Sequence, residues 1–130
     1  MISQLAADTK PPTPQAGKAS LSGVLYSYGL NRIIPETAFY IAPAMEDNGK
    51  YLVPPLIFGP RPEKGDVVGT SNKQGQVFLD DIPPGHYYMY IWTVYNWPMA
   101  LESKEAEYPL LIEVEAGDQL DLGLLYVEWP

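Results

Sequence analysis

Thr70 to Trp92 reads TSNKQGQVFLDDIPPGHYYMYIW, and the alternation inside it decides the fold. A polar turn (Asn72 to Gly75) leads into a strand from Gln76 to Ile82. Pro83-Pro84-Gly85 turns the chain, and a longer strand runs from His86 to Val94. Two strands joined by a short Gly/Pro turn predict an antiparallel hairpin. Side chains at i and i+2 share a face of a strand. Val77, Leu79 and Ile82 therefore form one face, with Asp80-Asp81 shifting the register before the turn. Beyond Gly85, Tyr87, Met89 and Ile91 share one parity, and His86, Tyr88, Tyr90 and Trp92 share the other. One of these faces must be core. The other is unusually aromatic for a solvated surface.

Working outward, the 130 residues suit one domain, and 46% hydrophobic residues will fill its core. Fourteen Pro and eleven Gly predict many turns, and ten Tyr suit pleated, half-buried surfaces. No window of helical apolar periodicity is long enough to predict a helix. Cysteine is absent, which excludes disulfides and thiolate chemistry. A net charge of −8 disfavours nucleic acid and anionic membrane as partners, because phosphates demand Lys/Arg clusters. No apolar run is long enough to span a bilayer.

Met1 to Ala19 lacks the apolar segment of a secretion signal, and its PPTP favours extended polyproline II. Residues 1–19 read as a Pro-rich linker or tether, and residues 20–130 as a single β-sandwich domain. Ser20 to Ser27 is the first strand, in which Gly23 marks a bulge or the close approach of another backbone. Ile34 to Ala42 is the second, with Phe39 and Ile41 inward and Ala38 and Tyr40 outward. Residues 43–69 are an insertion interrupted by five prolines; a long ordered insertion is often functional or an interface. Val67 to Thr70, Tyr108 to Glu115 and Gln119 to Trp129 complete about seven strands, the last with an irregularity at Gly123. Met99 to Glu107 is an acidic connection. The expected architecture is an all-β, antiparallel, Greek-key sandwich of the immunoglobulin or prealbumin kind.

With the strands placed, the chain resembles the carboxypeptidase regulatory-like domains, which are transthyretin-like (prealbumin-like) β-sandwiches. Thr70, Gly75, Val77, Leu79, Ile82, Pro83, Pro84, Gly85 and Tyr87 carry the central motif. Ile112, Val114, Ala116, Gly117, Asp121, Leu122 and Gly123 match its end, and Leu21, Gly23 and Leu25 its beginning. The chain departs from the pattern in the insertion, in Gln74 before Gly75, and in Met99 to Glu107. The resemblance implies an extracytoplasmic module, secreted or anchored at the cell surface, used for adhesion, carbohydrate contact or support of a neighbouring domain. It implies a structural role for the motif, with Tyr87 buried and its hydroxyl on a nearby backbone group. Some surface domains of this fold carry a Lys–Asn crosslink, which is not expected here because the last strand has no Asn. Related hydrolases need more than the one histidine, His86.

Catalytic and metal motifs do not emerge. Asp80 and Asp81 are adjacent and point to opposite faces, so they are poor partners for glycosidase chemistry. Glu113, Glu115, Asp118 and Asp121 lack the spacing of a calcium loop. No cofactor is implied; the expected function is a non-enzymatic module for protein contact, adhesion or structural support, with a carbohydrate-binding module as the alternative and an Asp/Glu hydrolase as the distant one. The candidate ligand-binding residues are Tyr88, Tyr90 and Trp92, joined by Phe78 from the partner strand and by Trp97, with Tyr95 and Tyr40 as extensions. Three readings of this face stay open. Residues 43–69 cover it; it contacts a protein partner or a second copy as a homodimer; or it stacks on a cell-surface polysaccharide.

Overall fold

The computed structural model describes residues 2–54, 60–92 and 98–128. It contains a short helix α1 (Ile2–Asp8) and ten strands. These are β1 (Ala19–Ser27), β2 (Arg32–Ile33), β3 (Ala38–Pro43), β4 (Met45–Asp47), β5 (Lys50–Leu52), β6 (Val67–Thr70), β7 (Gln76–Ile82), β8 (Gly85–Ile91), β9 (Leu111–Val114) and β10 (Gln119–Val127). The seven expected strands are all present as β1, β3, β6, β7, β8, β9 and β10. Their boundaries differ most at β3, which starts at Ala38. Pro35 lacks an N–H, and Glu36 adopts a positive φ of 50°, so no ladder can run through them.

Two four-stranded sheets stack face to face. In the first, β1 is flanked by β10 on one edge and by β7 and β2 on the other; in the second the order is β6-β3-β8-β9. The β4–β5 hairpin sits apart as a third, small sheet. The shared interior holds Leu21 and Leu25 of β1, Val77, Leu79 and Ile82 of β7, Phe39 and Ile41 of β3, Ile112 and Val114 of β9, and Leu125 and Val127 of β10. Tyr87, Met89 and Ile91 fill it from β8, as their parity predicts. Burying side chains of this size contributes about 1.5–3 kcal/mol each.

Two expectations need correction. First, β7 and β8 do not pair. β7 bonds to β1, while β8 bonds to β3 and β9. Pro83 and Pro84 supply no N–H to a ladder, so the chain crosses from one sheet to the other there. The Tyr87 hydroxyl pins the crossing by donating to the Pro83 carbonyl at 2.6 Å. Second, β1 and β10 run parallel, although every other pair is antiparallel. These are the first and last strands of the sandwich, and no hairpin constrains their relative direction.

Glycine sets the register of that parallel pair, which shifts between Ser22 and Val24. A Cβ at Gly23 would lie 2.7 Å from Cδ1 of Leu125, so only glycine lets that leucine reach the interior. Gly123, at φ +67°, inserts one left-handed residue into β10. Before it Leu120 and Leu122 pack on the core; after it Leu125 and Val127 do. Asp80 and Asp81 make the corresponding slip in β7, whose register with β1 shifts between Leu79 and Ile82.

Residues 2–18 are not a free tether. They lie against the outer face of the first sheet. Thr9 is buried; its carbonyl accepts the Ser22 hydroxyl at 3.3 Å, and its own hydroxyl accepts Nε2 of Gln76 at 2.7 Å. The Gln15 N–H donates to the Asp80 carbonyl at 2.9 Å. Ser20, Ser22 and Val24 are buried in consequence.

Candidate functional site

The outer face of the second sheet carries Tyr40, Tyr88, Tyr90 and Trp92 among the rings singled out in the sequence. Register sets them in rows. Val68, Tyr40, Tyr90 and Met99 lie abreast across four segments, and Ala42 pairs with Tyr88 in the next row. Tyr40 and Tyr90 stack with centroids 5.1 Å apart and planes at 22°. With Tyr88 and Ala42 they form a second buried cluster, against which Ala44, Met99 and Leu111 pack.

This cluster is sealed by the insertion. The Tyr88 hydroxyl donates to the Tyr51 carbonyl at 3.0 Å, and the Tyr90 hydroxyl to the Pro54 carbonyl at 3.4 Å. Tyr88 is 7% exposed and Tyr90 is fully buried, so neither offers a ring face to a ligand. Among the three readings, cover by the chain itself is the one the structure adopts for these two residues. The cover is further fixed by Tyr51, whose ring stacks on His86 at 3.8 Å and 14°. Burial raises the Tyr90 phenol above its ordinary pKa, with neighbouring Tyr40 and Asp66 adding to the effect. Burial likewise pushes Tyr40 up to about 12, with Asp66 raising it further and Arg61 opposing. The Tyr40 hydroxyl has no hydrogen-bond partner among the described residues.

The remaining expected residues do not form one patch. Trp92 is 42% exposed at the end of the same outer face, where its N–H donates to the Ala38 carbonyl. Phe78 is 43% exposed, but it lies beside Ser22 on the outer face of the first sheet. Because β7 and β8 belong to different sheets, Phe78 cannot join Tyr88 and Tyr90. Trp97 and Tyr95 fall outside the described residues.

The acidic candidates have structural duties. Asp80 accepts Gln15 through its side chain as well as its backbone. Asp118 accepts the Glu115 N–H, and Asp121 accepts that of Gly123. His86 lies 3.7 Å from the Glu113 carboxylate, both partly in solvent. Among the described residues no three His, Cys, Asp or Glu side chains converge as a metal site.

A different aromatic cluster was not foreseen. Tyr26 of β1 and Tyr126 of β10 are partners in the parallel ladder and both face outward. Their rings meet edge to face at 5.7 Å and 87°. Tyr28 and Asn31 follow in the next turn, and the Tyr26 hydroxyl bonds to Oδ1 of Asn31. Together with Ile2, Leu124 and Lys104 these residues enclose an open cleft of about 300 Å³. The signal was present in parity: with Leu25 and Leu125 inward, Tyr26 and Tyr126 must face out. What could not be read was that residues 100 positions apart are ladder neighbours.

No family model matches the sequence and no curated protein does, so the family likeness drawn from its motifs stays a resemblance. Among solved structures the chain is similar to a candidate carbohydrate-binding protein from Pseudomonas aeruginosa. The two share 20% identity and a TM-score of 0.53 over 88% of this chain and 91% of that one. It is also similar to the major pilin subunit of Bacillus cereus, with 11% identity and a TM-score of 0.46 over 89% of this chain and 30% of the pilin. The shaft pilin of Lactobacillus rhamnosus GG gives 11% identity and a TM-score of 0.44 over 87% and 46%. At 20% identity the likeness to the first of these establishes a shared β-sandwich fold and nothing beyond it.

Proposed function

We propose that this chain is a non-enzymatic β-sandwich module that works outside the cytoplasm by binding, and that its ligand is a cell-surface polysaccharide. One observation carries the reading. After both sheets have covered most of their outer faces, aromatic rings still reach solvent on each: Trp92 on the second sheet and Phe78 on the first are exposed, and Tyr26 and Tyr126 on the first sheet, with Tyr28 just beyond β1, are partly so. Rings with one apolar face and a wet edge are suited to the alternating CH and hydroxyl surface of a sugar. The solved protein that aligns with 88% of this chain supports the same reading, since it is a candidate carbohydrate binder. The extracytoplasmic setting rests on the motif resemblance. Titrating soluble polysaccharides into the protein while following tryptophan fluorescence and heat tests the proposal. Saturable binding is the expected result; no binding to any neutral or acidic polysaccharide overturns it.

A second reading, protein contact or structural support, is favoured by the β4–β5 hairpin. Its Met45 and Leu52 are cross-strand partners, and both are exposed together with Val53. A side of this hairpin segment seals Tyr88 and Tyr90 while these apolar side chains face solvent, an arrangement suited to a protein partner. If Met45→Ser with Leu52→Ser abolishes a defined assembly while sugar binding is absent, this reading replaces the first.

A further inference from the structure

We propose that the cleft between α1 and the outer face of the first sheet is a binding site for a saccharide unit, with preference for an acidic sugar. The inference rests on the polysaccharide reading above and locates its site away from Trp92.

The cleft is built by the register of β1 and β10. Gly123 reverses parity within β10, so Leu124 and Tyr126 are turned outward beside Tyr26. The perpendicular rings of Tyr26 and Tyr126 form a corner, with one face and one edge presented, rather than a closed stack. Tyr28 stands beyond the end of β1 as a further wall, and Ile2 of α1 closes the cleft from the side. All three tyrosines are partly exposed, whereas Tyr40 and Tyr90 bury fully when tyrosines on this fold serve packing.

The polar groups complement the rings. Asn31 uses Oδ1 on the Tyr26 hydroxyl, which leaves its amide N–H groups available as donors. Among the described residues, Lys104 is the one charged side chain in the lining and makes no ion pair. A pyranose needs an apolar wall for its CH face and donors for its hydroxyls; the single ammonium adds a site for a carboxylate. One cation in a chain of net charge −8 is too little for a polyphosphate. The cleft is open to solvent, which disfavours an acyl chain. Its volume of about 300 Å³ lies at the lower end for small-molecule sites.

The test is calorimetric titration of the full chain with an oligogalacturonate and, separately, with a neutral cello-oligosaccharide. The acidic sugar should bind more tightly at low salt. Tyr28→Ala and Tyr126→Ala should each weaken binding roughly ten-fold, the weight of one ring contact. Lys104→Gln should bring the acidic sugar's affinity down to that of the neutral one. Asn31→Asp, a surface change that leaves every ring in place, should weaken the acidic sugar and guards against misfolded tyrosine variants. Binding that survives the Tyr28, Tyr126 and Asn31 changes but disappears in Trp92→Ala overturns this site and leaves the polysaccharide reading standing. Failure of the unaltered protein to bind either sugar overturns this site, and the polysaccharide reading falls with it only if the wider set of neutral and acidic polysaccharides also fails to bind.

Discussion

Residues 2–18 cover the outer face of the first sheet and residues 43–54 that of the second, and the two covers use different chemistry. The first is polar. Thr9 accepts from Ser22 and Gln76, Gln15 donates to Asp80, and Lys10 reaches Asp121 at 3.3 Å in solvent. The second is aromatic. A stacked tyrosine pair and a third tyrosine sit beneath the chain, and two phenol hydroxyls hold backbone carbonyls. Hydrogen bonds exchanged with water contribute about 1 kcal/mol each, and exposed ion pairs less. Buried rings contribute several times that. The aromatic cover is thus part of the folding unit, whereas the polar cover is a strap whose loss the sandwich can survive.

The sharpest way to break this contrast is Tyr90→Ala. It removes half of the stack and leaves Pro54 without its donor, so a loss of about 3–5 kcal/mol is expected in denaturant unfolding. A loss near 1 kcal/mol would show that the second cover is as loose as the first.

Alkaline titration tests the same cover without mutation. Tyr40 and Tyr90 keep their protons in the folded chain above the ordinary value of 10.0, Tyr40 up to about 12. The unfolded chain gives up those protons first. Their contribution is therefore complete below pH 10 and falls as pH rises from 10 toward 12. Unfolding free energy measured against pH should be flat from 8 to 9 and then decline, and Tyr40→Phe should shrink the decline. A decline complete by pH 9 would contradict the burial.

Removing residues 2–18 should cost less, about 2–3 kcal/mol from the lost hydrogen bonds and the exposure of Val24, Ser20 and Ser22. The truncated chain should keep the near-ultraviolet signal of its buried tyrosines. It should also lose Ile2 as a wall of the Tyr26–Tyr126 cleft. Loss of cooperative unfolding on truncation would place both covers in the folding unit.

Much of the sandwich was legible because strand parity is local. Val77, Leu79, Ile82, Tyr87, Met89 and Ile91 each alternate with neighbours of other chemistry, and each lies in the interior. Gly23, Gly123 and the Asp80-Asp81 slip announced themselves as breaks in that alternation. The hairpin between β7 and β8 was misread because a Pro-Pro-Gly turn looks alike whether the next strand returns beside the last or crosses to the opposite sheet. The helix at Ile2–Asp8 gave no signal because seven residues are too few for a periodic pattern. The candidate site was less legible than the fold. Parity exposed Tyr88 and Tyr90 to suspicion, but it says only which side of a sheet a ring occupies, not what lies above it.

Sequence by itself determined that this chain forms strands, where most of them run, and which side chains enter the interior, because these follow from neighbours one or two positions away. Tertiary structure alone decided which strands are neighbours, and therefore which rings are sealed and which meet solvent. Residues 26 and 126 share a ladder, and residues 54 and 90 share a hydrogen bond. Such contacts depend on how the two sheets and their covers stack, and no local pattern encodes that.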